Sequence, residues 1–237
     1  MTVDQMERAR AWLERDRVLY ANMLEVLRRG SADALAVEEG GILLHDTGCG
    51  AWMLAAEPEA AEAFLDRVPA GCDLFVGHDM AYFDLARARF GLPEQEICWS
   101  AAYLDKDPLP IPDFGGELRL LDRSWAPWLR AHYSHDFGGV AYMERAADRG
   151  IIGAFVEGKP AGFVGFHDEG SIGMLEVLPA YRRRGLGELL QRAAINLALE
   201  RGQIPFGQII DGNTASLALQ RKLGMAVSRS RLFWLMG

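Results

Sequence analysis

Three arginines and two glycines lie within the six residues Arg182-Arg183-Arg184-Gly185-Leu186-Gly187, and these residue types suit the binding of phosphate. Guanidinium groups donate paired hydrogen bonds to phosphate oxygens, and a glycine, which lacks a Cβ, lets a phosphate approach the backbone. If a helix begins here, its first amides have no intrahelical partner and favour an anion. The pattern predicts a pyrophosphate-binding turn, and a plain strand-to-helix turn with solvated arginines is the alternative.

The flanking residues predict a strand before this turn and a helix after it. Residues 172–178 are apolar, partly β-branched and closed by Pro179. Beyond Gly185, leucines and alanines recur three or four residues apart, and Gly202 occupies a helix C-cap position. Gly173 predicts a bulge or a close backbone approach inside the strand, and a bulge leaves amides that can bind a ligand. Relief of crowding is the alternative role for this glycine.

The turn and its surroundings resemble the GNAT superfamily of N-acetyltransferases over residues 117–237. Arg182-x-x-Gly185-x-Gly187 matches the coenzyme A signature of that superfamily, and residues 175–181 look like its Leu-x-Val-x-Pro-x-Tyr lead-in. Residues 213–219 and 222–225 resemble its last helix. The sequence Leu-Pro-x-Tyr-Arg at 178–182 and the Trp-bearing last strand resemble the branch that includes the glycine N-acyltransferases.

This resemblance implies that acetyl-CoA is the acyl donor, that no metal takes part, and that the pantetheine arm lies along the strand. It implies direct attack on the thioester by the amine of a small molecule or an amino acid. Neither a nucleic acid nor a membrane is an implied partner, and a homodimer is left open. The implied coenzyme-binding residues are Leu175, Glu176, Val177, Arg182, Arg183, Arg184, Gly185, Leu186, Gly187, Asn213 and Ser216.

Two positions depart from the pattern of the resembling enzymes. Glycine N-acyltransferases carry a Glu early in the strand, where this chain has Ser171. The nearest titratable groups are Glu169 and His167, and either could remove the amine proton directly or through a water. Glu176 is a third candidate for this role, although strand alternation could place it on the other face of the sheet from Ser171.

The second departure is Gln220, which stands where many family members carry a Tyr in the last helix. Its amide can donate a hydrogen bond to a departing thiolate but has no proton to transfer. Together with Ser171, this residue keeps open a second function, a sensor that binds coenzyme A without turnover. A nucleotide-binding protein is disfavoured because the turn lacks the third glycine and the acidic partner of the dinucleotide fingerprint.

Composition narrows the class of protein. The chain has 237 residues, half of them hydrophobic, and a net charge of −8, which makes it a poor general binder of nucleic acid. No apolar run reaches membrane-spanning length, and the first residues lack the pattern of a signal peptide. We therefore expect a cytoplasmic location. Three scattered cysteines without metal-ligand spacing are expected to be reduced.

A proline-rich break at residues 107–116 predicts a linker between two domains. Residues 1–106 are predicted to form an α/β domain, which is either a degenerate GNAT-like half or an unrelated cap. A single helix is predicted over residues 4–29. Residues 117–237 are predicted to be the catalytic domain, with the element order β-α-α-β-β-β-α-β-α-β. The predicted fold class is α/β (α+β): a GNAT fold whose mixed central sheet has splayed strands.

Overall fold

The computed structural model describes residues 2–135 and 138–237. The chain divides into one unit of Met1–Tyr103 with Phe206–Gly237 and a second unit of Leu104–Pro205. The helices are α1 (Val3–Leu13), α2 (Ala21–Arg29), α3 (Ala61–Leu65), α4 (Phe83–Phe90), α5 (Ala126–His132), α6 (Gly139–Gly150), α7 (Leu186–Glu200) and α8 (Thr214–Lys222). The strands are β1 (Ala32–Glu38), β2 (Gly41–Asp46), β3 (Trp52–Ala56), β4 (Leu74–Gly77), β5 (Glu94–Ala102), β6 (Gly116–Leu121), β7 (Ile151–Val156), β8 (Lys159–Phe166), β9 (Ile172–Val177), β10 (Phe206–Ile210) and β11 (Ala226–Met236).

The prediction of one helix over residues 4–29 was wrong, because the chain turns between α1 and α2. Asp16 lies at the end of a short 3-10 segment after α1. Its carboxylate accepts hydrogen bonds from the backbone N–H groups of Val18 and Leu19 at 3.1 and 2.9 Å. A side chain that bonds nearby amides in this way competes with the backbone hydrogen bonds of a helix. The helix is therefore interrupted here, although the apolar pattern continues on both sides of the interruption.

The first unit contains a seven-stranded sheet in the order β1-β2-β3-β4-β11-β5-β10. Among the described strand pairs of this sheet, β3–β4 is parallel and the others are antiparallel. Phe75 and Phe233 pack with Tyr82 in the core beneath α3 and α4. Gly77 lies opposite Phe233, and a Cβ at this position would come within 2.3 Å of the Phe233 ring. A glycine here therefore admits the aromatic ring of β11 into the core.

Strands β10 and β11 pair with strands of the first half of the chain, although the sequence grouped residues 117–237 in one domain. Strand β11 lies between β4 and β5, and β10 continues the sheet on the far side of β5. The first half runs α-α-β-β-β-α-β-α-β, and the same order recurs from α5 to β11. This repetition is consistent with a degenerate half related to the second, and the domain boundaries stay a prediction.

The second unit contains the antiparallel sheet β6-β7-β8-β9. Tyr142 and Met143 of α6 pack on one face with Phe163 and Met174, while Leu186 of α7 belongs to the core on the other face. The element order predicted for the second half of the chain is confirmed. Both faces of this sheet are thus covered, which fixes the position of β9 and of the turn that follows it.

The proline-rich segment at 107–116 is held against α7. The backbone N–H and C=O of Leu109 bond to the side-chain amide of Asn196 at 2.7 and 2.8 Å. The carbonyl of Pro110 accepts from Arg192 at 3.3 Å. The proline-rich segment is therefore fixed to α7 by hydrogen bonds. Cys49, Cys72 and Cys98 are all reduced, as predicted.

Candidate active site

Strand β9 is an edge strand of the four-stranded sheet, and it contains a bulge. Phe163 of β8 faces Glu176, whereas Gly165, two residues on, faces Gly173. The additional β9 residue is accommodated at Met174, whose φ is +55°. Such a bulge removes local ladder hydrogen bonds and can re-aim side chains. It leaves β9 with irregular backbone on its paired side and an unpaired edge within this sheet on the other.

Gly173 is required by the position of a neighbouring histidine. A Cβ on Gly173 would lie 2.2 Å from Nε2 of His167, so any larger residue would displace the imidazole. The crowding expected as the alternative role of this glycine is therefore present, and the bulge lies at the next residue. Both features that the sequence offered as alternatives occur together.

The turn after β9 contains two residues in the left-handed region of the backbone. Arg183 has a φ of +60°, and Gly185, which precedes α7, has a φ of +82°. Arg182 donates from Nε to the carbonyl of Val177 at 3.0 Å. The guanidinium of Arg184 lies 5.6 Å from the ring centre of Tyr181. Residues 182–185 are exposed, so the arginines surround the start of α7 and remain accessible to a ligand.

Gly187 lies in the first turn of α7, and internal packing does not require a glycine there. The nearest atom to a Cβ at this position would be Cγ2 of Val177, at an ordinary contact distance of 3.8 Å. The buried residues Leu186 and Leu189 on either side hold the helix on the sheet. The space beside Gly187 is thus open, and the first amides of α7 adjoin it.

His167 lies at the end of β8, with one ring nitrogen held by a buried tyrosine. Its Nδ1 is 2.7 Å from Oη of Tyr142, a residue of α6 that is 4 % exposed. Burial, followed by the nearby charge of Glu169, raises the pKa of Tyr142 above its ordinary value. Tyr142 therefore keeps its hydroxyl proton at neutral pH and offers the imidazole a hydrogen-bonding partner.

The turn between β8 and β9 holds two carboxylates in different surroundings. Glu169 accepts a hydrogen bond from the hydroxyl of Ser171, which is buried. Asp168 forms an ion pair with Arg149 of α6, and the same guanidinium donates from Nε to the carbonyl of Phe166 at 3.0 Å. Ser171 stands where the resembling enzymes carry a Glu, and its hydrogen bond holds the carboxylate of Glu169 near the start of β9.

Glu176 is engaged by the segment that follows α5. Its carboxylate accepts from the backbone N–H of Ser134 at 3.0 Å and from the Ser134 hydroxyl. Met174 packs in the core beneath α5 and α6, and Glu176 faces the same helices, whereas Val177 packs with α7. Glu176 therefore links β9 to the chain after α5.

Three of the predicted site residues lie in α8 or directly before it, in the first unit. Asn213 caps this helix, since its side chain accepts from the backbone N–H of Ser216 at 3.0 Å. Gln220 is 5 % exposed, so its amide is buried and does not face solvent. The geometry within this unit confirms helix capping by Asn213, while roles toward a coenzyme stay predictions for all three residues.

Comparison with known proteins identifies the fold. Residues 117–225 match the family model described as Acetyltransferase (GNAT) family. The X-ray structure of a Drosophila protein superposes with a TM-score of 0.72 at 17% identity and covers 98% of this chain and 96% of its own. This chain has the GNAT fold.

Two further structures with the GNAT fold align along most of their length. A GCN5-related N-acetyltransferase-like protein from Streptococcus suis has a TM-score of 0.55 at 16% identity, with 100% of both chains covered. A GCN5-related N-acetyltransferase from Kribbella flavida has a TM-score of 0.55 at 15% identity, covering 93% of this chain and 94% of its own. No curated protein matches the sequence. At these identities the likeness concerns the fold.

Sequence reasoning did not find the contacts that two residues make near β9. The Tyr142 hydroxyl could not be paired with His167 from the sequence, because the two residues lie on different elements. Ser134 lacked any motif, and only its contact with Glu176 reveals it.

Within residues 2–135 and 138–237, no helix could span a bilayer, and no group of three or more His, Cys, Asp or Glu side chains is arranged to hold a metal.

Proposed function

We propose that this protein is an acyl-CoA-dependent N-acyltransferase that transfers an acetyl group from acetyl-CoA to the amine of a small molecule or an amino acid. One observation carries the proposal: the bulged edge strand β9 leads directly into an exposed arginine and glycine turn at the start of α7. The GNAT family match over residues 117–225 supports it. The lead-in at 178–182 further supports a place beside the glycine N-acyltransferases.

The residues present fit coenzyme A in their chemistry. The backbone of Leu175–Val177 would hold the extended pantetheine arm as a neighbouring strand, in the manner of strand addition. Arg182, Arg183 and Arg184 would neutralise the phosphates, which the amides at Gly185–Gly187 would approach without obstruction. Acetyl-CoA supplies the activated acyl carbonyl. The chain's own task is to hold that carbonyl and to accept the proton that the attacking amine loses.

His167 is the proposed proton acceptor. An amine at neutral pH is largely protonated, so a base near the attack position is needed. Glu176 is less suited because its carboxylate already accepts two hydrogen bonds from Ser134. Glu169 also accepts a bond, from Ser171, and would act as the alternative base. The imidazole of His167 adjoins Gly173 beside the bulge.

Gln220 is proposed to donate a hydrogen bond to the departing thiolate. A bond to a charged group contributes about 1.5–3 kcal/mol, which corresponds to roughly ten- to hundredfold in rate. We expect Gln220→Ala to lower kcat by this factor in single-turnover kinetics while calorimetry finds coenzyme affinity little changed. Gln220→Glu, which keeps the size of this buried side chain but removes the amide donor, should be at least as slow. An unchanged kcat in both variants would contradict this role.

The competing function is a coenzyme A sensor without turnover, favoured by Gln220 in place of a tyrosine. Acetyl-CoA with pools of amino acids, polyamines and arylamines separates the two. We expect coenzyme binding by calorimetry and amine-dependent release of free thiol, with N-acetylated product found by mass spectrometry. Binding without thiol release from any pool would favour the sensor. An absence of binding would refute both functions.

A further inference from the structure

The imidazole of His167 is fixed by contacts on two sides. On one side Nδ1 lies 2.7 Å from Oη of Tyr142. On the other, the ring lies against β9, with Nε2 only 2.2 Å from the position that a Cβ of Gly173 would occupy. The nitrogen that faces β9 is therefore Nε2, and the nitrogen that faces α6 is Nδ1. Which of them carries the proton decides whether the ring can act as a base toward β9.

The surroundings favour a proton on Nδ1. The Cα hydrogens of Gly173 are weak donors, so they suit a lone pair on Nε2 better than an N–H group. A tyrosine hydroxyl can accept as well as donate, and the Tyr142 oxygen lies at hydrogen-bonding distance from Nδ1. With Nδ1–H donating to Tyr142, the lone pair of Nε2 faces the strand along which the acyl donor is proposed to lie.

We propose that Tyr142 is a positioning residue that holds His167 in the tautomer protonated on Nδ1, so that Nε2 can remove the proton of the acceptor amine. This inference rests on the proposed function. In the step, the lone pair of the neutral amine forms the bond to the acyl carbon, the C–S bond of the thioester breaks with its electron pair leaving on the coenzyme A thiolate, and the N–H proton of the attacking nitrogen passes to Nε2. The resulting imidazolium keeps its Nδ1–H bond to the Tyr142 oxygen, and no proton moves to Tyr142.

The charged and titratable groups around this pair bear on its pH dependence. Glu169 and Asp168 lie in the adjoining turn, and Asp168 is neutralised by its ion pair with Arg149. The guanidinium groups of Arg145 and Arg149 lie 5.8 and 5.4 Å from the Tyr142 ring centre. Tyr133 lies in the same core. Among the described residues, Glu169 is thus a carboxylate near this pair that can stabilise an imidazolium at His167.

The tautomer can be measured without any turnover. The protein is labelled with ¹⁵N-histidine, and the His167 ring signals are assigned by their loss in His167→Gln. We expect the pattern of an Nδ1-protonated ring in the natural protein. Tyr142→Phe, which removes only the hydroxyl, should shift the ring toward the Nε2-protonated form. An Nε2-protonated ring in the natural protein would overturn the inference.

Kinetics then separate positioning from a structural role. Tyr142→Phe should lower kcat/KM by roughly tenfold, move the acidic limb of its pH profile to lower pH and leave coenzyme affinity unchanged. The limb moves in this direction because the imidazolium loses the acceptor for its Nδ1–H group.

Tyr82→Phe is the matched control, since it removes another buried tyrosine hydroxyl, one that donates to the carbonyl of Leu54 at 3.0 Å. It should lower the melting temperature but leave the acidic limb in place. If Tyr142→Phe lowers the melting temperature but leaves the acidic limb in place, as expected for Tyr82→Phe, the inference is overturned. An absence of turnover in the natural protein would refute the proposed function and with it the positioning role, whereas the wrong tautomer refutes the inference alone.

Discussion

Gly187→Trp should abolish most coenzyme A binding without unfolding the protein. The open space beside Gly187, where the nearest atom to a Cβ is 3.8 Å away, would be filled by an indole. Phosphates could then no longer reach the first amides of α7. Loss of one or two charge-assisted hydrogen bonds, at about 1.5–3 kcal/mol each, lowers affinity by at least about tenfold.

The fold should tolerate this change. Gly187 does not have a positive φ, and a helix interior disfavours glycine relative to most residues. Glu200→Trp places the same side chain at the exposed opposite end of α7, about 20 Å away for a helix of this length, and serves as the control. Calorimetry with coenzyme A should find normal affinity in Glu200→Trp alone. Equal affinity in both variants would place the coenzyme site elsewhere.

Acid should destabilise the protein through His78, which is buried in the first unit. Burial lowers the pKa of His78 from 6.5 to about 4. Its Nδ1 lies 2.8 Å from the carbonyl oxygen of Leu54, and its Nε2 lies 2.9 Å from the side-chain oxygen Oδ1 of Asn22. Both oxygens only accept, so the neutral ring donates to one of them through its single N–H group, and burial outweighs the attraction of these oxygens for a second proton.

The sign follows from proton binding in the two states. Below about pH 6.5 the unfolded chain binds a proton at His78 that the folded chain excludes until about pH 4. The free energy of unfolding therefore falls as pH decreases through this window, by about 1.4 kcal/mol per pH unit and about 3 kcal/mol in all. Above pH 7 this contribution is constant.

Urea unfolding of the natural protein and of His78→Gln at several pH values tests this. The variant should be less stable at pH 8 because the buried ring is lost. Between pH 6.5 and pH 5 the difference between the two proteins should narrow by about 2 kcal/mol, since the variant lacks the titrating group. Parallel curves over this range would mean that His78 does not control acid stability, and the constant difference above pH 7 serves as the internal control.

The part of the site that could be predicted from sequence is the part built from neighbours in the chain. The strand, the arginine turn and helix α7 follow from local spacing at 172–202, and the structure contains all three. Gly173 was recognisable as special because glycine is unusual inside a strand. These features depend on a few adjacent residues and on their backbone preferences.

The long-range contacts around β9 were not predictable in this way. Tyr142 meets His167 across 25 positions of sequence, and Ser134 meets Glu176 across 42. The insertion of β11 between β4 and β5 is likewise a long-range pairing, which no local periodicity encodes. The break at Asp16 was missed for a different reason, since a capping carboxylate leaves the apolar pattern on both sides intact.

The place of β11 between β4 and β5 also constrains how the polypeptide is made. During synthesis β4 and β5 emerge long before β11, because the whole second unit lies between them in the chain. Until β11 arrives, both strands present unsatisfied edges, which are prone to pair with other chains. Assembly of the seven-stranded sheet must therefore wait, and contacts this distant in sequence form slowly. The second unit is contiguous in sequence, so we expect it to complete its fold before the first unit, although the residues of the first unit are synthesised first.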